Sequence, residues 1–155
     1  MKSDQAAAKP KKKNLIDGPI TAAKMATLVE KHQPKTGIGA HSLFMGQVRA
    51  DEVDGVKVTS ITYSAYNALA EKTILEIREE AFVKFDLSCL HVYHSVGEVK
   101  VGEMSLLVMV SSAHRAPCFP SLEWIVEACK ERLPIWKQEN LEDGSHRWIG
   151  DKPAF

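Results

Sequence analysis

Cysteine is scarce in this sequence: Cys89, Cys118 and Cys129 are odd in number and form no Cys-x-x-Cys word. That argues against a disulfide framework and against a zinc site, and leaves reduced, mostly buried thiols as the expectation. Net charge is absent too, since 20 Lys and Arg balance 20 Asp and Glu. No global field recruits nucleic acid or an anionic membrane, so any anion site must be built from local clusters. No apolar run approaches the ~20 residues of a membrane span, and no apolar signal core follows the N-terminal lysines. The chain therefore reads as cytoplasmic. It has no Gly-rich nucleotide loop and no His/Cys/carboxylate spacing of a metal site. No metal and no cofactor are expected. His32, His41, His91 and His146 carry no sign of a role, and His94 reads as a hydrogen-bonded sheet histidine.

What is present fits one ordinary globular domain: 155 residues, 45% hydrophobic and 26% charged. Residues 1–14 are Ala-rich and then basic, with Lys9-Pro-Lys-Lys-Lys13 at their centre, and read as a flexible tail. The domain is expected over residues 15–155. Ile20 to His32 has helical spacing, with Pro19 suited to a first turn. Gly37–Val48 and Val56–Tyr63 alternate like strands around Asp54-Gly55, which predicts an antiparallel hairpin over residues 38–65. A long helix follows, with Asn67 as its N-cap and Ala70, Ile74, Ile77, Ala81 and Phe85 on one face. Leu90 to Val96 reads as a strand ending at a Gly97 bend, and Met104 to Val110 as a strand buried on both faces. A helix from about Pro117 to Leu133 completes the core. This order has no repeating strand-helix period, so the fold class is α+β: one domain, a mixed or antiparallel sheet with packed helices.

Cations gather near the end of the chain. Pro134 stops the last helix near Leu133, which puts Lys130 on its final turn and Lys137 on the segment beyond. Phe119, Leu122, Val126, Cys129 and Leu133 form that helix's apolar stripe, and Lys130 falls on its border, where partial desolvation would favour acid-base or nucleophilic work. Trp136 could wall the same cleft. Ser111-Ser-Ala-His-Arg115 closes a buried strand ahead of a helix, a place where amides, the His114 imidazole and the Arg115 guanidinium suit a phosphate. Arg49 ends the first apolar strand and offers another guanidinium.

These words resemble a known family. Phe44-Met-Gly-Gln-Val-Arg49, Tyr63-Ser-Ala-Tyr66 with Leu69-Ala-Glu-Lys72, His94-Ser-Val-Gly97, Val110-Ser-Ser-Ala-His-Arg115 and Lys130-x3-Pro-Ile-Trp-Lys137 are similar, in order and spacing, to the large, catalytic subunit of molybdopterin synthase. The resemblance covers roughly residues 15–152. It implies a hammerhead-like fold and a sulfurtransferase of molybdenum cofactor biosynthesis. Such an enzyme inserts two sulfurs into a cyclic pyranopterin monophosphate. The sulfur comes from the thiocarboxylated C-terminal Gly-Gly of a small ubiquitin-like subunit. It also implies a homodimer of large subunits with a small subunit at each far end, hence a heterotetramer.

By the same resemblance, Lys130 and Lys137 are the catalytic lysines. Arg49, His114 and Arg115 hold phosphate and pterin, with Gln47, Val48, Gln138 and Glu139 at adjoining contacts and Lys152 a candidate to reach the other subunit's pocket. Ser95 and Gln138 stand where the family commonly has basic residues, which would remove positive charge near the pocket. Two other readings are open: a non-catalytic module holding a phosphate or acidic partner, and nucleic-acid binding through the basic tail.

Overall fold

The structure is a computed structural model and describes residues 13–149; most of the expected tail, and Lys152, lie outside the described residues. Eleven elements follow in chain order: β1 (Leu15–Asp17), α1 (Ala22–His32), β2 (Ala40–Gln47), β3 (Glu52–Val53), β4 (Val56–Ala65), α2 (Asn67–Lys84), β5 (Cys89–Lys100), β6 (Met104–Ser112), α3 (Cys118–Arg132), β7 (Ile135–Leu141) and β8 (His146–Ile149). They form an eight-stranded sheet ordered β2-β6-β5-β4-β7-β8, with β1 paired to β5 and β3 to β4. All pairings are antiparallel except β1 with β5, so the expected α+β mixed sheet stands.

The sheet has helices on both faces. Ile74, Ile77 and Ala81 of α2 and Ile125, Val126 and Cys129 of α3 meet Leu90, Val92, Val108 and Val110 in the larger core. On the other face Leu28 of α1 joins Ile20, Leu107 and Met109. Alternate residues of β6 thus enter different cores, which is why this strand reads as one apolar run. Arg132 donates to both carboxylate oxygens of Glu80, at 2.8 and 3.0 Å, and ties α3 to α2.

Several local expectations change. Thr21, not Pro19, opens α1: its Oγ1 accepts the Lys24 N–H at 3.1 Å. Tyr66 rather than Asn67 stands at the N-cap of α2, with no side-chain cap. The Asp54-Gly55 turn is real, with both residues at positive φ, but it joins β4 only to the two-residue β3. β2 pairs instead with β6, and two strands separate it from β4. The turn signal is local, whereas the partner of β2 is chosen by the long apolar face of β6. Phe119 is 65% exposed and leaves the stripe of α3, while Ile125 is buried on it. Asn14 donates its N–H to Glu71 at 2.9 Å and its carbonyl accepts the His94 N–H at 3.0 Å, so the chain is held from that residue onward.

Two glycines have steric reasons. Gly97 has φ of 91° in the middle of β5. There the strand passes from pairing with β6 (Cys89 to His94) to pairing with β4 (Gly97 to Lys100). A Cβ on Gly39 would lie 2.2 Å from the Ala113 carbonyl oxygen. Gly39→Ala should therefore cost about 1–3 kcal/mol, the usual range for forced overpacking. A thermal melt matching the wild type would remove that close approach.

Candidate functional site

Residues of β2, β4, β5, β6, α3, β7 and β8 surround a cavity of about 600 Å³. A register shift between Gly46 and Gln47 ends the β2–β6 ladder and turns Gln47, Val48 and Arg49 onto its lip. Val48 is buried, its N–H bonded to the Glu103 carbonyl at 3.0 Å, and this anchors the turn. Arg49 is exposed and pairs with Asp51 at 3.2 Å. Such an exposed pair is worth at most about 1 kcal/mol, so a phosphate can displace the carboxylate.

The floor is polar. Tyr63 donates its hydroxyl proton to Ser105 Oγ at 2.9 Å, and its ring meets that of His94 edge-on at 5.2 Å. Burial pushes the Tyr63 phenol above its ordinary pKa, so it remains a neutral donor at physiological pH. His94 is buried and its Nδ1 bonds the Ser95 carbonyl at 2.8 Å, as expected of a sheet histidine, yet the ring also lines the cavity.

The lysines come from opposite sides of the helix stop. Leu133 N–H reaches the Cys129 carbonyl at 3.1 Å, and buried Pro134 then carries the chain into β7. Lys130, exposed on the last turn of α3, stands at the mouth. Lys137 is half-buried on β7, opposite Tyr63 on β4 and Ile149 on β8. Two residues on, Glu139 shares that face: Oε1 accepts from Arg147 at 3.3 Å, while Oε2 is buried with no hydrogen-bond partner. Beside Lys130, burial pushes the Cys129 thiol up to about 12. It stays protonated and is not a sulfur nucleophile.

Six expected residues thus meet at one cavity: Gln47, Val48, Arg49, Lys130, Lys137 and Glu139. Three described ones do not. Gln138 alternates to the other face of β7 and donates to Asn140 Oδ1 at 3.1 Å, within a ladder that includes Ser60 and Thr62. The sequence marks no strand beyond the helix stop, so the alternation of β7 that separates Gln138 from its neighbours is not legible there. His114 and Arg115 follow the far end of β6. The cavity takes Ser105 and Leu106 at the near end, and the six residue-to-residue steps from Leu106 to Ser112 span about 20 Å. A single chain cannot bring that pair to its own cavity. Ser95 is fully buried and does not line the cavity either, so neither it nor Gln138 takes a charge from the walls of this cavity. Tyr63, Ser105 and Glu139's partner Arg147 were not anticipated; the cross-strand register that joins them has no local sequence signal.

Among the described residues, no helix is long and apolar enough to cross a membrane. The family model described as MoaE protein matches residues 15–132. A molybdopterin synthase catalytic subunit of Emericella nidulans is 38% identical over 122 residues, covering 79% of this chain and 62% of that protein. One from Thermoplasma volcanium is 42% identical over 110 residues, covering 71% and 80% respectively. The molybdopterin synthase structure from Staphylococcus aureus superposes with a TM-score of 0.76 at 30% identity, over 89% of this chain and 96% of that one. A complex of subunits 1 and 2 of the molybdopterin-converting factor from Helicobacter pylori shares the fold, with a TM-score of 0.75 at 21% identity and 90% of each chain covered. By sequence and by fold, the chain belongs to the MoaE protein family.

Proposed function

We propose that this chain is the catalytic subunit of a molybdopterin synthase, transferring sulfur from a thiocarboxylated carrier protein to a cyclic pyranopterin monophosphate. The observation that carries the reading is the convergence of Lys130, Lys137 and Arg49 on one cavity in a member of this family. Attack by a thiocarboxylate places negative charge on oxygen and releases a phosphate ester, and fixed cations in a water-poor site lower that barrier. Arg49 positions the phosphate, Lys137 holds the anionic centre, and Lys130 does acid-base work or engages the glycine carbonyl. Because Lys130 stands exposed at the mouth, its shielding from water comes with the incoming tail of the carrier. Gln47, Val48 and Glu139 shape the walls. The family relatives are named as catalytic subunits, which favours turnover over a passive anion-binding module.

A small ubiquitin-like protein ending in Gly-Gly is the partner this reading requires. Gel filtration of the mixture should give a species larger than the homodimer of large subunits. Failure to bind every thiocarboxylated carrier offered at micromolar concentration would sink the synthase reading.

The homodimer also gives His114 and Arg115 a use. Since they lie about 20 Å of strand away from their own chain's cavity, they act on the phosphate bound by the second copy, as does Lys152.

A further inference from the structure

A second cluster of chemistry-bearing side chains lies on the opposite face of the sheet, under the end of α1. His41 of β2, Ser111 of β6 and Cys89 of β5 are register partners in one row across three strands, and His91 stands two residues along β5. Above them α1 ends on His32, which is 4% exposed. His32 Nδ1 lies 2.7 Å from the Leu28 carbonyl and must donate to it, so the neutral ring turns the lone pair of Nε2 outward. That nitrogen faces His91 Nε2 at 3.0 Å, and one ligand atom each from His32, His91 and Cys89 falls within a mutual separation of 4.8 Å.

We infer that His32, Cys89 and His91 form a binding site for one borderline-soft transition metal ion of the Zn²⁺ class. Two imidazoles and a thiolate are the donors such an ion selects, and three protein ligands leave a fourth position for water. With Zn–N of about 2.0–2.1 Å and Zn–S of about 2.3 Å, a tetrahedral ion sets its nitrogens about 3.3 Å apart and its sulfur about 3.6 Å from each, so the Cys89 sulfur, within 4.8 Å of both nitrogens, closes by at most about 1.2 Å. The His rings therefore need to part by only about 0.3 Å from their present 3.0 Å. The bond from His32 to a backbone carbonyl is the support that metal-ligating histidines usually have, because it fixes the tautomer and aims the ring. Cys89 Sγ now accepts from Lys35 Nζ at 3.0 Å. Lys35 is exposed, so its ammonium can swing into water as the ion takes the sulfur. The bound ion would clasp the C-terminal end of α1 to β5, on the sheet face turned away from the cavity.

The sequence hid this site because its ligands are 59 residues apart at the widest, from His32 to His91, and the Cys-x-His spacing on β5 belongs to no common motif. The test is titration of the tag-free, metal-stripped full chain with Co²⁺, followed by displacement with Zn²⁺. One equivalent should bind at micromolar concentration, with a thiolate-to-cobalt charge-transfer band that Zn²⁺ abolishes. Cys89→Ser should lose the band, while Cys118→Ser and Cys129→Ser should keep it. His91→Gln should weaken binding by more than the ~10–100-fold that loss of a supporting outer contact brings. Absence of binding by the wild type, or an undiminished band in Cys89→Ser, would overturn the site. Should Cys89→Ser melt before the assay, an undiminished affinity in His91→Gln would overturn it equally. None of these readouts depends on the sulfur-transfer activity.

Discussion

Lys130→Ala should lower dithiolene formation by at least ~100-fold, the lower end of what a positioned acid-base or electrostatic group contributes. The side chain is exposed and stands at the cavity mouth, so its removal leaves no void in either core. The melting curve should match the wild type, and the carrier should still bind. Lys137→Ala should reduce turnover less, because the role proposed for it is to hold charge rather than to move a proton. Single-turnover conversion of the cyclic precursor, with thiocarboxylated carrier in excess, measures both. Near-normal turnover by Lys130→Ala would remove that lysine from the chemistry, and an early melt would make it a structural residue.

The second large effect is recovery by mixing. Arg115→Ala alone should weaken use of the precursor, since a guanidinium-phosphate bond is charge-assisted and worth roughly 1.5–3 kcal/mol. Lys130→Ala alone should be nearly inactive. If Arg115 serves the other copy's cavity, a heterodimer of the two variants contains one site with Lys130 from one chain and Arg115 from the other, both intact. Co-refolded or subunit-exchanged mixtures at subsaturating precursor should then regain up to about half of the wild-type turnover per heterodimer, one site of two. Activity that never exceeds the sum of the two variants would mean that both residues act in the same chain, or that Arg115 has no part in the reaction.

Much of this architecture is legible in the sequence, and the exceptions share a cause. α1, α2 and α3 announce themselves through apolar spacing at 3.6 residues, and β6 through a nearly continuous apolar run. β7 was missed because Glu139 is buried on it while Gln138 and Asn140 form a polar ladder, so no apolar alternation marks the strand. The pairing of β2 was misassigned because Asp54-Gly55 is a true turn with a short partner. For the site, motif words found Lys130, Lys137, Arg49, Gln47, Val48 and Glu139, all of which line the cavity. Those words could not say that His114 and Arg115 sit at the opposite end of β6, because distance along a strand becomes distance in space only once the register is known. His32, Cys89 and His91 were passed over for the same reason. Their proximity exists only after α1 folds over the sheet.

The thiol of Cys129 is pushed up to about 12 and lies in the wall of the cavity that the proposed function gives to activated sulfur. On the proposed function, a thiolate there would attack the carrier's thiocarboxylate carbonyl, expel hydrosulfide and end as a dead thioester. Held as the thiol, this side chain is a chemically silent surface, much like a small alkyl group that happens to contain sulfur. The enzyme should therefore keep its activity after prolonged exposure to iodoacetamide at neutral pH, which gives the cavity a durability that most sulfur-handling sites, built around a reactive cysteine, lack.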